Sequence, residues 1–549
     1  MTVSQSTVSA APVLTLEGLS VRLPSGADRP HAMKDVSFAI ASNEILCVVG
    51  ESGSGKSMTA NAIMRLLPGG VTIDSGSVMF DGRDLTKLSE AEMREVRGAG
   101  VAMIFQEPMT ALNPLRTIGD QIGEMFDIHT GMSKAERSAK VLDLLAEVRI
   151  PDPKLAARAY PHELSGGQRQ RAMIAMALAL DPKVLIADEP TTALDVTTQA
   201  QILALIKDLQ KRKGTAVLFI THDFGVVAEI ADRVAVMQHG LVVEQGTAAD
   251  VLERPQHAYT KQLIAAVPPL KAPPPRPISD EPILTMRNVS KTFRTGGFLG
   301  RGVRVTHAVK DVSLVLPKGG TLGIVGESGS GKSTLARCII RLIDPDSGSI
   351  VLNGKDLAKL TREEMRRETR HIQMVFQDPF GSLNPRRKAG ELVAQGPIVH
   401  GMDRAQALAK AKELFGLVGL DPASTDRHPH EFSGGQRQRI GLARALALEP
   451  EVLVADEAVS ALDVSVQAQV LRLLAELRER LGLSIVFITH DLRVAAQVCD
   501  LVAVMKSGEV VEAGPIGEVF GNPQHPYTQA LLASIPGREF GLSREAEAV

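Results

Sequence analysis

Cysteine is scarce. Cys47, Cys338 and Cys499 are the only three in 549 residues, and they lie far apart. With no C-x-x-C pair and no ligand spacing, a zinc module and a disulfide scaffold are excluded, and buried reduced thiols are expected. Long apolar runs are missing as well. The longest, Ala172–Leu180, has nine residues, whereas a membrane-spanning helix needs roughly 20. The first ten residues, MTVSQSTVSA, lack a basic start followed by an apolar core, so no signal peptide is expected. Nor does one sign of charge dominate. Sixty-one Lys and Arg against 63 Asp and Glu give a net charge of −2, which offers no polyanion-binding surface. The short basic runs Lys211-Arg212-Lys213 and Arg386-Arg387-Lys388 are expected to be solvated faces.

What the chain has instead is one unit written twice. Its length is too great for one core. "GESGSGKS" at 50–57 returns at 326–333, "HELSGGQRQR" at 162–171 returns as "HEFSGGQRQR" at 430–439, and "FITHD" at 219–223 returns at 487–491. The offset is 276 residues at the first motif and 268 at the later ones, so the second copy has lost a net eight residues in between. Between the copies lies "PPLKAPPPRPISDEP" (268–282), whose prolines predict a semi-rigid extended strap. The expected division is 12–267, strap 268–282, and 283–549.

Short apolar runs ending in polar residues alternate with helical patterns. Ile45–Val49 precedes the glycine loop, Val101–Phe105 precedes Gln106, Val184–Ala187 precedes Asp188, and Val217–Ile220 precedes Thr221-His222. This pattern predicts an α/β fold of buried parallel strands with crossover helices. Ligands in such sheets sit at the carboxyl ends of the strands, where these polar residues fall.

Gly50-x-x-x-x-Gly55-Lys56-Ser57, followed by a helix expected over Met58–Leu67, fits a phosphate loop. Its glycines let backbone N–H groups wrap a phosphate, its lysine supplies a point charge and its serine hydroxyl reaches Mg²⁺. Asp188-Glu189 after "VLIA" and Asp456-Glu457 after "VLVA" are carried by apolar strands to the sheet edge. There, one acid can hold the water shell of Mg²⁺ and the next can polarise an attacking water. "LSGGQ" (164–168) is expected to open a helix over Gln168–Leu180, leaving free N–H groups and a positive dipole end for an anion.

With "FSGGQ" (432–436), both Asp-Glu pairs, and His222 and His490 in this order, the chain resembles a tandem ATP-binding-cassette (ABC) ATPase along nearly its whole length. The resemblance implies two nucleotide-binding domains. Each would be a RecA-like phosphate-loop core with a parallel sheet, an antiparallel β portion and a helical subdomain, over about 107–180 and 378–448. It implies ATP contacts from Gly50, Ser52, Gly53, Gly55, Lys56, Ser57 and Met58, and from Gly326, Ser328, Gly329, Gly331, Lys332, Ser333 and Thr334. Across a head-to-tail pairing of the units it adds Ser165, Gly166, Gly167 and Gln168, Ser433, Gly434, Gly435 and Gln436, and Asp195 and Asp463. Phe293 would stack on adenine. Catalysis would fall to Glu189, His222, Gln106, Glu457, His490 and Gln377. Mg²⁺ would be held by Ser57, Gln106 and Asp188 and by Ser333, Gln377 and Asp456, the aspartates through water.

"FQEPMTALNP" (105–114), "FQDPFGSLNP" (376–385) and the tails "HAYTKQL" (257–263) and "HPYTQAL" (525–531) resemble the oligopeptide, dipeptide and nickel importer branch. Fusion of both ATPases in one chain is most like the Yej-type peptide importer. The plainer alternative for each tail is a capped terminal helix. Many relatives carry a cysteine cluster after the cassette; none exists here, so no iron–sulfur cofactor is expected. The resemblance implies two separate permease subunits, a solute-binding protein and a peripheral place on the cytoplasmic face of the inner membrane. A soluble tandem ATPase acting on ribosomes or nucleic acid would call for a long charged linker, a basic face or zinc cysteines. A sensing module without hydrolysis would lack Glu189 or Glu457, and both are present.

The copies differ at a few places. "ADEPTTALD" (187–195) becomes "ADEAVSALD" (455–463), an edit expected to alter only the connection between Glu457 and Asp463. Leu23 stands where the second copy has Phe293, Met58 where it has Thr334, and Phe432 replaces Leu164. Under head-to-tail pairing Leu23, Met58 and Phe432 line one composite site, which is expected to bind nucleotide more weakly without being inactive.

Overall fold

The structure is a computed structural model describing residues 12–192, 194–295, 304–378, 381–459 and 462–538. The N-terminal ten residues read above for a signal peptide lie outside the described residues. The chain divides into two compact units, the first running to Ala266 and the second starting at Val267.

Each unit holds one six-stranded and one four-stranded sheet. In the first unit the larger sheet runs Leu241–Thr247, Arg233–Gln238, Ile45–Val49, Ala216–Thr221, Val184–Asp188, Val101–Ile104. Only the Leu241–Thr247 edge is antiparallel. The second unit repeats the order with Glu509–Pro515, Leu501–Lys506, Thr321–Val325, Ser484–Thr489, Val452–Asp456 and Ile372–Val375. Every residue of Ile45–Val49, Val184–Asp188, Thr321–Val325 and Val452–Asp456 is buried. Covered on both faces, these strands read as unbroken apolar runs rather than alternating ones.

The four-stranded sheets are antiparallel: His31–Ala41, Pro12–Arg22, Thr72–Phe80 and Arg83–Asp84, and their counterparts in the second unit. Leu14, Leu16 and Ile40 of this sheet share a core with Val48, Ile186 and Leu218 of the parallel sheet and with Ile63 of the helix Lys56–Met64. Leu284, Ile324, Ile339 and Val454 repeat the arrangement. The phosphate-loop helix is therefore clamped between two sheets.

Helices occupy the segment after Ile104: Ile118–His129, Lys134–Glu147, Pro153–Arg158 and Gly166–Ala177. In the second unit they are Ala389–Val399, Arg404–Leu417 and Gly434–Leu446. Caps set their starts. Ser133 and Glu136 form a reciprocal capping box, as do Ser165 and Gln168. Two expected helices shift for this reason. The signature helix begins at Gly166 rather than Gln168 because Ser165 is its cap. The phosphate-loop helix runs Lys56–Met64 rather than Met58–Leu67, between Gly55 (φ 108°) and Arg65 (φ 51°). Among the described residues no helix is long and apolar enough to cross a membrane.

Up to Glu281 the strap has no regular secondary structure, with Pro282 opening the strand Pro282–Thr295, yet it is held. Gln497 Nε2 donates to the carbonyls of Pro269 and Lys271, both at 2.8 Å. Arg276 Nη2 donates to Asp500 Oδ2 at 2.6 Å and to the Gly319 carbonyl at 2.8 Å. Asp500 also accepts from Thr321 N at 2.7 Å, at the start of the strand that leads to the second phosphate loop. Arg276→Ala should release the strap: limited proteolysis followed by mass spectrometry should show faster cleavage within 268–282, and stability should fall by about 1.5–3 kcal/mol.

Candidate active sites at the two phosphate loops

Strand Ile45–Val49 ends at Gly50, whose φ of 152° and crowded surroundings admit no side chain; a Cβ there would run into the Met237 carbonyl. The loop then folds over Lys56, which is 5% exposed. Its ammonium donates to the carbonyls of Gly50 at 2.7 Å and Glu51 at 2.9 Å. Lys332 does the same with Gly326 and Glu327, both at 2.7 Å. Each lysine is thus held inside its own loop by two carbonyls.

The next residue reaches the neighbouring strand. Ser57 Oγ donates to Asp188 Oδ1 at 3.0 Å, and Ser333 Oγ to Asp456 Oδ1 at 3.1 Å. Burial pushes the Asp188 carboxyl up to about 6, against the opposing hydrogen bond from Ser57. Asp456 is raised for the same reason. A serine hydroxyl, a carboxylate and a glutamine carbonyl are hard oxygen donors, the set that suits Mg²⁺ when phosphate completes its shell. Among the described residues there is no group of three or more His, Cys, Asp or Glu that could hold a metal ion.

Glu189 begins where Asp188 ends its strand. Its N–H donates to the Ile220 carbonyl at 2.9 Å, and its backbone then turns left-handed at φ 47°. Glu457 repeats both features, bonding Ile488 at 2.9 Å with φ 46°. For a residue with a side chain this conformation costs on the order of 1–3 kcal/mol. It aims the carboxylate along the sheet edge, where adjacent strands deliver their own polar residues. Gln106 Nε2 donates to Glu189 Oε2 at 2.9 Å, and His222 Nδ1 lies 3.3 Å from Oε1. In the second unit Gln377 Nε2 donates to Glu457 Oε2 at 2.7 Å, and His490 Nδ1 lies 3.4 Å from Oε1.

Burial acts to raise the Glu189 carboxyl, but the His222 hydrogen bond and charge, with Lys56 and Thr192, outweigh it and hold Glu189 down at about 2. Glu457 is lowered by the same balance, with His490, Lys332 and Gln377 opposing burial. Each histidine is raised in turn: burial disfavours its charge, and the glutamate's hydrogen bond and charge prevail. Each unit therefore holds an ionised carboxylate at the edge of its phosphate loop.

The signature residues open their own helices. Ser165 and Gln168 spend their hydrogen bonds on one another, as do Ser433 and Gln436. Gly167 and Gly435 pack too closely against Thr198 and Val466 to carry a Cβ without movement of those side chains. Asp463 is the N-cap of helix Val464–Leu481, and Asp195 immediately precedes helix Val196–Lys213.

The second loop opens onto a cleft of about 730 Å³ lined by Phe293, Ser328, Lys332, Thr334, Gln377 and Glu457, among others. Leu23, at the place of Phe293, and Met58, at the place of Thr334, instead pack against the first unit's core. The edited positions have surroundings of their own. Phe432 is 4% exposed, with its ring 6.5 Å from that of Phe415 and under the Arg427 guanidinium at 5.0 Å. The packing needs of its own helical subdomain hold that side chain inward. The segment after Glu189 is also more than a connection, because Thr192 Oγ1 donates to Glu189 Oε2 at 3.0 Å. Ser460, its counterpart, lies outside the described residues.

Sequence reasoning missed Thr192 because it stands in a loop whose hydroxyls carry no periodicity. It also missed Arg29, whose Nη2 donates to the Gly53 carbonyl at 2.5 Å from the loop joining the first two strands. Arginine next to proline in a polar loop gives no signal by itself.

The chain matches the ABC transporter family over residues 33–192 and 309–460. It matches the oligopeptide/dipeptide transporter C-terminal region over 243–295 and 511–546. It is 48% identical to the glutathione import ATP-binding protein GsiA of Escherichia coli O157:H7, over 97% of this chain and 91% of that protein. The protein of the same name from Shigella boydii serotype 4 is 47% identical over the same shares. A solved post-hydrolysis dimer of an ATP-binding cassette bound to ADP and Pi is 31% identical over 42% of this chain and 98% of that one, with a TM-score of 0.39. The phosphate loops, the carboxylates at the strand ends and both family matches agree: the chain belongs to the ABC transporter family, with two cassettes each followed by the oligopeptide/dipeptide transporter C-terminal region.

Proposed function

We propose that the chain is the ATP-hydrolysing subunit of an importer for peptides or related small solutes, working through separate permease subunits. The observation that carries this is the same convergence in both units: a phosphate loop, a buried Ser–Asp pair, and a carboxylate held by glutamine and histidine. The importer assignment draws support from the glutathione import relatives and the two C-terminal regions. Glutathione is itself a short peptide, which agrees with the peptide class.

In this account Lys56 and Lys332 leave their loop carbonyls for the phosphates of ATP, and the loop N–H groups wrap the same anion. Ser57, Gln106 and Asp188, and Ser333, Gln377 and Asp456, would hold Mg²⁺, the aspartates through water. Mg²⁺ supplies neutralisation of phosphate charge. Glu189 and Glu457 orient the attacking water and accept its proton, while His222 and His490 fix each carboxylate and balance its charge. Phe293 stacks on adenine at the second loop.

The two units would close head to tail. Ser165, Gly166 and Gly167 with Asp195 would meet the ATP of the second loop, and Ser433, Gly434 and Gly435 with Asp463 that of the first. Such closure is a switch driven by bound ATP. A solute-binding protein would deliver the solute, and the chain would sit peripherally on the cytoplasmic face of the inner membrane.

Reconstitution with its permeases should give ATP-dependent uptake of labelled short peptides, glutathione among them. Hydrolysis that neither permeases nor solute stimulate, with no uptake, would overturn the importer assignment. The loss of the aromatic at Leu23 sets a second expectation. ATP binding to the Lys332→Ala chain, which keeps only the first loop, should be weaker than to Lys56→Ala by about fivefold or more, by analogy with base stacking on aromatic side chains. Equal affinities would contradict the asymmetry.

A further inference from the structure

The tails share the pattern His-x-Tyr-Thr, at His257–Thr260 and His525–Thr528. Glu244 accepts the N–H groups of Gln256 and His257 at 2.7 and 3.1 Å, and Glu512 accepts those of Gln524 and His525 at 2.8 and 3.1 Å. Each histidine then caps the helix that follows it. His257 Nδ1 accepts from Tyr259 N at 3.2 Å, and His525 Nδ1 from Tyr527 N at 3.1 Å. A helix start fixed in this way has few ways to aim its tyrosine.

Both tyrosines turn inward, at 6% and 8% exposure, and reach the phosphate loop of their own unit. Tyr259 Oη accepts the N–H of Glu51 at 3.1 Å, and Tyr527 Oη accepts that of Glu327 at 3.2 Å. Tyr259 Oη also lies 3.4 Å from Glu51 Oε2. Burial, chiefly, pushes the Tyr527 hydroxyl up to about 12, so its proton stays in place at neutral pH.

The bonded residue is the second of each loop, whose carbonyl accepts the lysine ammonium at 2.9 Å in the first unit and 2.7 Å in the second. Lysine and tyrosine hold this residue from opposite ends of its backbone, at the carbonyl and at the N–H. A lysine that moves onto a phosphate gives up the carbonyl, while the tyrosine bond remains. A loop without that bond has more conformations to lose when it wraps a phosphate, and this weakens binding.

We propose that Tyr259 and Tyr527 are positioning residues for nucleotide: the tail after each cassette latches the phosphate loop in its wrapping conformation. The proposal rests on the ATP-binding role given to the loops above.

The test is equilibrium ATP binding to the full chain, with one loop disabled so that the other is read alone. Tyr259→Phe in a Lys332→Ala background keeps the ring and deletes only the hydroxyl. ATP affinity should fall about three- to tenfold, the usual weight of one hydrogen bond, with the melting temperature unchanged. In the otherwise unaltered chain the same substitution should raise KM for ATP and leave kcat at saturation unchanged. Tyr527→Phe in a Lys56→Ala background should behave alike, and it carries the test should Tyr259→Phe lose stability. Affinity within twofold of the parent at equal stability would overturn the latch. A chain carrying both Lys56→Ala and Lys332→Ala separates the two accounts: if it binds ATP as tightly as the wild type, the ATP-binding role itself fails.

Discussion

The structure depends on one constraint at the sheet edge, the left-handed turn of Glu189 and of Glu457 directly after a buried strand. The N–H of each glutamate still belongs to the sheet, bonded to Ile220 or Ile488, while its side chain has left it. That division fixes the carboxylate beside the ends of two other strands. Gln106 arrives from the strand Val101–Ile104 and His222 from Ala216–Thr221, each one or two residues past the last paired position. Parallel strands all present their carboxyl ends on one edge, so residues 33 and 83 positions from Glu189 in sequence meet on it. The buried core beneath supplies the rigidity that holds a strained backbone in place.

Duplication tests which details are needed. The second copy lost residues, changed the loop after its glutamate and exchanged Leu164 for Phe432. Yet the Lys–carbonyl, Ser–Asp, Gln–Glu and His–Glu contacts recur within a few tenths of an ångström. What varies among the described residues lies at the margins: Phe293 lines the cleft of the second unit, whereas Leu23 packs against the core of the first.

Much of this was legible in the sequence. Glycine spacing, apolar runs ending in Asp-Glu and the double signature place the parallel strands and the sheet edge, because burial on both faces leaves a direct trace in composition. Contacts that depend on a loop's path leave none. Thr192 looked like a connecting residue and proved to hold Glu189. Phe432 packs against Phe415, a contact not legible beforehand because one letter does not tell which way a ring turns at a helix entrance. The tail tyrosines read as parts of a capped helix, which they are. Their reach to the phosphate loop spans about 200 residues, and no local pattern encodes it.

The central claim is that both carboxylates, held alike, do the same work. Single-turnover ATP hydrolysis in the assembled transporter, with Glu189→Gln and Glu457→Gln introduced one at a time, tests it most directly. Each substitution should cut turnover at its own site by at least about a hundredfold while ATP stays bound. A Glu457→Gln chain that hydrolyses and transports like the wild type would contradict it.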